Sequence, residues 1–359
     1  MFLYSVICVL PFTVCLTWMV ILLLDARNGW RADKKLLCLF AAACTVLYLG
    51  HAVHFLDAPV SFSWIDALYA GVNLAVYPLF YLYLRTVADV RGVRRADWLS
   101  LLPAGGVFLF ALGVCLGGGQ PSAVRQVALC NKILFPLTVF YTLVAGQMLL
   151  RRYNAAVRNF YAETEQKTRE DLSVLLILFV VTSLLSAVVS LIGRDAFAGR
   201  FPLAVPSLLF SALLFSVYYV SSRLPFTAQD MMRDIQQEQE MPEVRPHTEL
   251  MQRLDVLVRE NELYKRQGLK ITDLAALAGT NRTYVSNAIN QQSGLSFSEY
   301  INRLRIEEAK RLIRESDGKM VMTAVAEESG FAGEATFYRH FRAQEGMTPM
   351  EWWQSTSVQ

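Results

Sequence analysis

Two short stretches near the C-terminus carry side chains suited to reading a patterned polar surface. In the first, Asn281 to about Gln291, helical spacing turns Val285 and Ile289 inward and leaves Arg282, Thr283, Ser286, Asn287 and Asn290 outside. In the second, Gly333 to about Gln344, Phe337 and Phe341 turn inward and leave Glu334, Thr336, Arg339, His340 and Arg342 outside. Amides, hydroxyls and guanidinium groups on one helix face are the donors and acceptors that match base edges and phosphate oxygens of duplex DNA. Asn287 suits adenine, Arg282 a phosphate or guanine, and Arg339 is the strongest candidate for a base contact. The plain alternative for each is a solvated surface position.

Each stretch is placed by what precedes it. ITDLAALAGTNRTYVSNAINQQSG and MTAVAEESGFAGEATFYRHFRAQEG both read as short helix, Gly turn, second helix. In the first, Leu274, Ala275 and Leu277 are expected to face inward, Gly279 to permit the turn and Asn281 to cap the next helix. In the second, Val325 and Ala326 pack, Gly330 turns the chain and Phe331 fills the angle between the helices. A bridging helix, Ser296 to Arg314, spaces Phe297, Ile301, Leu304, Ala309 and Leu312 along one face. Its Arg303, Arg305, Lys310 and Arg311 suit phosphates, with an internal ion pair the alternative for Arg305.

This tandem resembles the DNA-binding domain of the AraC/XylS family of transcription regulators, over the last quarter to third of the chain. The residues that carry the resemblance are Gly294, Tyr300, Arg305, Ala309 and Leu312, then Ala326, Ser329-Gly330-Phe331, Phe337, Arg339, Phe341, Gly346 and Thr348-Pro349. The resemblance implies that the two recognition helices enter successive major grooves on one face of DNA. Trp352-Trp353 departs from the family's Tyr-Arg, exchanging a phosphate contact for apolar area. Ile289 stands where Phe is frequent.

The chain has 359 residues, 54% hydrophobic, and a mean hydropathy of +0.32. Before about Ser222 it is dominated by long apolar runs, and after it by polar helices. From Phe226 onward 16 Lys+Arg face 20 Asp+Glu, so contact with DNA must rest on local charge rather than bulk attraction. Cys8, Cys15, Cys38, Cys44, Cys115 and Cys130 lack zinc-ligand spacing and read as small buried hydrophobes. No phosphate loop, HExxH or nucleophile elbow is present, so neither an enzyme nor a metal or other cofactor is expected.

The apolar half contains stretches of the roughly 20 residues that a bilayer crossing needs: Phe2–Leu24, Leu36–Leu56, Trp64–Leu84, Trp98–Leu116, Ala128–Leu150, Leu172–Gly193 and Phe201–Val220. Arg27, Arg31, Lys34, Lys35, Arg91, Arg94, Arg95, Arg151, Arg152, Arg158, Lys167 and Arg169 all fall in connections after odd-numbered spans. The positive-inside rule makes that side cytoplasmic and puts the N-terminus outside. An odd number of spans then delivers the C-terminal domain to the cytoplasm, here of a bacterial inner membrane. Polar groups gather near the outer end: His51, His54 and Asp57 on one face of span two, Asp66 and Asn73 on span three, Lys132 beside Asn131 on span five. They read either as an outward pocket that binds a small ligand or metal, or titrates through the His51–His54 pair, or as interfacial groups that cap and pair with one another. Tyr77, Phe80, Tyr81 and Tyr83 read as packing and an aromatic belt.

The fold class expected is all-α: a seven-helix transmembrane bundle (1–222), a linker (223–246) with a helix from Ala228 to about Glu240, and an AraC-type domain (247–359) opened by a helix from Thr248 to Tyr264. The function expected is a membrane-embedded one-component transcription regulator. Its expected partners are double-stranded DNA and the lipid bilayer, with a small-molecule signal and a homodimer as further candidates. The alternatives are a receptor whose C-terminal domain binds a protein, or a transporter with a regulatory tail.

Overall fold

The computed structural model describes residues 2–25, 31–55, 63–164, 167–192, 204–224, 226–236 and 250–357, without the side chains of 2–5, 51–55, 185–192 and 204. Among these the chain is helical, with one isolated antiparallel bridge between Tyr161 and Lys270 and no strand. Two compact units form. One comprises Met1–Tyr153 and Arg169–Met232, the other Asn154–Thr168 and Arg233–Gln359.

The first unit holds α1 (Phe2–Asp25), α2 (Ala32–Phe55), α3 (Trp64–Ala88), α4 (Leu102–Leu116), most of α5 (Pro121–Phe160), α6 (Glu170–Ile192) and α7 (Ala204–Ser222). Five described segments are long and apolar enough to cross a membrane: Val6–Asp25, Trp64–Ala88, Arg95–Leu116, Pro121–Phe160 and Val205–Ser222. The other two expected spans fall in α2 and α6, whose ends lie outside the described side chains, so the expected seven are not all matched.

The core of this unit runs along α3, where Leu74, Phe80, Leu82 and Leu84 have no exposed surface. Phe80 packs 5.2 Å from Phe40 and 5.6 Å from Phe179, and Tyr77 lies 5.1 Å from Phe179. These aromatics are packing. Outward faces are apolar instead: Leu116 is 81% exposed and Leu109 66%.

Two boundaries differ from expectation. The fourth segment opens as a 3₁₀ turn (Arg95–Leu101), and the α-helix starts only at Leu102, with Pro103 in its first turn, where a missing N–H leaves no helical bond unmade. The fifth helix is 40 residues long rather than the expected Ala128–Leu150. Its polar extension beyond Leu150 keeps a stripe of Tyr153, Val157 and Phe160 at i, i+4 and i+7, all buried, which a hydropathy reading overlooks.

In the second unit follow α8 (Ala228–Gln236, begun in the first unit), α9 (Leu250–Glu260), α10 (Ile271–Ala278), α11 (Arg282–Ser293) and α12 (Phe297–Glu315). Then come α13 (Met322–Glu328), α14 (Glu334–Glu345) and α15 (Pro349–Ser357). The remainder of the expected linker helix lies outside the described residues. α9 stops before Tyr264 because Glu262 takes a left-handed conformation (φ 48°) and Leu263–Lys265 tightens into a 3₁₀ turn. Ile306, Ile313, Val325, Phe331, Phe337 and Phe341 form one fully buried cluster that binds α12 to α13 and α14.

Candidate nucleic-acid interface

Both turns are built from local chemistry. α10 ends at Gly279 in a left-handed conformation (φ 64°), and the Asn281 side chain accepts hydrogen bonds from the Thr283 and Tyr284 N–H groups, capping α11. At the second turn Gly330 has φ 94°, and a Cβ there would stand 2.6 Å from Lys265 Cα, so conformation and space both demand glycine. Phe331 is completely buried, 5.5 Å from Phe337. One inward assignment fails: Leu277 is 52% exposed and the neighbouring Ala278 is buried instead, because the eight-residue α10 turns its inner face through Leu274, Ala275 and Ala278.

On α11, Val285 and Ile289 are fully buried. Thr283, Asn287 and Asn290 are exposed at i, i+4 and i+7 and share one face. Ser286 is half-buried and accepts from the Asn290 amide (3.2 Å), while half-buried Arg282 lies 5.9 Å from the Phe160 ring centre. On α14, Phe337 and Phe341 are fully buried and Arg339 and Arg342 are exposed three apart. Glu334 accepts from the Thr323 hydroxyl (2.7 Å) at the helix start, Thr336 is half-buried, and His340 stacks on Phe331 at 5.9 Å. The two helices thus present comparable polar faces over comparable apolar ones.

The bridging helix α12 is the frame. Ser296 caps it and Glu299 returns the bond to the Ser296 N–H (2.8 Å), which holds the Glu299 carboxyl below its ordinary range. Tyr300 is buried with its hydroxyl on Asp255 (3.0 Å), and burial with that neighbouring charge pushes its ionisation up. Most basic residues on this frame are engaged: Arg303 with Glu307 (3.7 Å), Lys310 with Glu345 (2.6 Å), Arg311 with Glu308 (2.7 Å) and Glu315 (2.6 Å). Glu308 also takes Lys265 (2.8 Å), and hydrogen bonds from Arg311 and then Lys265 lower its pKa to about 2. Arg305 is an internal residue, 1% exposed, whose Nε donates to the Tyr264 carbonyl at 2.6 Å. The bases of the frame are thus held by carboxylates of the same domain, while α11 itself contains no carboxylate.

Trp352 lies in the core 6.0 Å from Phe341, and the Lys310 and Arg314 cations sit 5.2 and 5.0 Å from its ring. Apolar packing takes the place of the family's polar pair.

In the first unit, Asp66 caps α3 by accepting from the Ser63 N–H (2.7 Å) and hydroxyl (2.8 Å). Asn73 donates to Asn131 at 3.1 Å, and Lys132 is exposed. Asp57 lies outside the described residues, as do the side chains of His51 and His54.

Sequence reading missed one contributor to this domain, the segment Asn154–Thr168, which is the end of α5 and the connection that follows it. The apolar stripe of the α5 extension was its signal.

Residues 274–355 match the family described as a helix-turn-helix domain. The HTH-type transcriptional regulator YisR of Bacillus subtilis is 34% identical over 91 residues, 25% of this chain and 31% of its own length. YobQ of the same species, likewise named an HTH-type transcriptional regulator, is 36% identical over 89 residues, 25% of this chain and 35% of its own. A protein of Proteus vulgaris named as the transcription factor PqrA is 29% identical over 90 residues, 25% of this chain and 72% of its own. The chain thus spans about a third of the length of the two Bacillus relatives. No solved structure matches significantly. Two turn-linked helix pairs, glycine at both turns and a buried arginine in the bridge converge with these matches: the C-terminal part of this chain is an AraC-type helix-turn-helix domain.

Proposed function

We propose that this chain is a membrane-embedded one-component transcription regulator. The observation that carries this reading is the pairing, in one polypeptide, of five apolar membrane-length helices with two turn-linked helices that each carry a polar outward face. The DNA-reading groups are Thr283, Asn287 and Asn290 on α11 and Arg339 and Arg342 on α14, with Arg282, Ser286, Glu334, Thr336 and His340 at their margins. The basic connections after the odd-numbered spans support a cytoplasmic C-terminal domain and an external N-terminus. A signal reaching the first unit biases it between two arrangements, and a second copy of the chain lets two tethered domains occupy paired sites.

The test is a gel-shift titration with the full chain in lipid nanodiscs and duplexes selected from a randomised pool. Binding should weaken with log salt at a slope near −0.9 per neutralised phosphate. Arg339→Ala should cost about 1–3 kcal/mol and relax preference at one base position. Selection of no duplex, or binding indifferent to salt, would overturn the reading in favour of a protein partner.

A further inference from the structure

The connection between α5 and α6 packs against the turn that leads into α10 and against the bridging helix α12. Ala162 donates its N–H to the Leu269 carbonyl (3.1 Å), and its own carbonyl accepts from the buried Ser298 hydroxyl (2.7 Å). Glu163 accepts from the Gly268 N–H (2.9 Å) and from Arg305 Nη2 (2.6 Å), which also donates to the Arg266 carbonyl (3.1 Å). Carbonyl oxygens do not neutralise a buried guanidinium, so Glu163 supplies the opposite charge that the bridging helix needs. Phe160 and Tyr161 are 2% and 1% exposed, and Arg282, the first residue of α11, lies over the Phe160 ring. None of these α5 and connection residues lies in the matched stretch 274–355.

The same segment ends a helix that starts far away. α5 runs unbroken from Pro121 to Phe160. Its 40 residues span about 60 Å at ~1.5 Å per residue, roughly twice the hydrocarbon thickness of a bilayer.

On the DNA-binding reading above, we propose that Phe160–Glu163 is a positioning strap. Phe160 sets Arg282 at the start of α11, and Glu163 holds Arg305, whose guanidinium also lies 5.8 Å from the Phe331 ring of the second helix-turn-helix unit, so a movement of α5 alters how α11 meets DNA more than how α14 does. A sensor helix then acts unequally on the two halves of the recognition surface.

The experiment uses the full chain in nanodiscs and a duplex selected by the wild type from a randomised pool. Wild-type binding to that duplex checks the underlying reading. Asn287→Ala and Arg339→Ala then assign its two halves to α11 and α14. Affinity is next compared between the intact duplex and duplexes with either half scrambled, for wild type, Glu163→Gln, Phe160→Leu and Ser298→Ala. The strap predicts that scrambling the α11 half costs about tenfold less in Glu163→Gln and Phe160→Leu than in wild type, while the cost at the α14 half stays the same in Phe160→Leu and changes by less than the α11 half in Glu163→Gln. Ser298→Ala, which carries no charge, should move the same ratio in the same direction and covers a Glu163→Gln chain that fails to fold. Equal losses at both halves, the mark of general destabilisation, or ratios unchanged in the variants that fold, would overturn the proposal.

Discussion

Glu308 shows how one residue's charge is committed to the frame rather than to a ligand. Its side chain is 8% exposed between Lys265 and Arg311, which hold its carboxyl at about 2, against about 4.3 when unperturbed. A carboxyl depressed on folding stabilises fully above its unfolded pKa and loses that contribution as pH falls toward its folded one. Glu308→Gln should therefore lower stability by about 1–3 kcal/mol near pH 6 and flatten the pH dependence between about 4.3 and 2. Hydrogen exchange of α9 and α12 at pH 6 and pH 3 checks this. An unchanged pH profile would show that the pair is solvent-screened. At this scale the sequence was informative where geometry is local. Gly279 and Gly330 as turns follow from left-handed backbone conformations that few residues adopt, and Asn281 as a cap from a side-chain oxygen placed to accept from the first N–H groups of α11. Leu277 was misjudged because nearly every position of the eight-residue ITDLAALA helix is apolar, which leaves periodicity no polar face to fix the inner one. The choice between phosphate contact and internal pairing for Arg305 could not be made from residue type, because its partner Glu163 lies 142 positions earlier.

Among the elements, α11, α12 and α14 were legible to within one or two residues, because capping residues and inward aromatics recur at short range. α5 was not. Its extension reads as a charged loop, and the groups it packs on, such as Ser298, stand 136 positions away. α15 illustrates an element held by one side chain. It has nine residues, too few to be stable alone, and Trp352 seats it against Phe341 under two cations. Trp352→Ala should cost about 3–5 kcal/mol and release α15. The check is faster hydrogen exchange in α14 and α15 of the full chain, with α10 and α11 unaffected. Protection of α15 equal to wild type would mean that Trp353 and Met347 hold it instead.

For the whole molecule, the division into an apolar half and a polar half was plain from hydropathy. The finer partition was not, since the second unit draws Asn154–Thr168 from within the apolar half. The charge balance also misleads at this scale. An acidic excess argues against nucleic acid when averaged, yet α11 contains no carboxylate and exposes Thr283, Asn287 and Asn290. What DNA meets is the local surface, and the fields of paired charges fall off within about a Debye length. The central claim joins both halves: a DNA-reading module permanently carried by a membrane bundle. It is tested most directly by crosslinking cells, isolating the membrane fraction, and sequencing the DNA that copurifies with the full chain and with an Asn287→Ala, Arg339→Ala double variant. The account predicts that the chain stays in the membrane fraction and that discrete DNA sites are enriched with it and lost in the double variant. Recovery of the chain from the soluble fraction, or enrichment indifferent to the two substitutions, would contradict it.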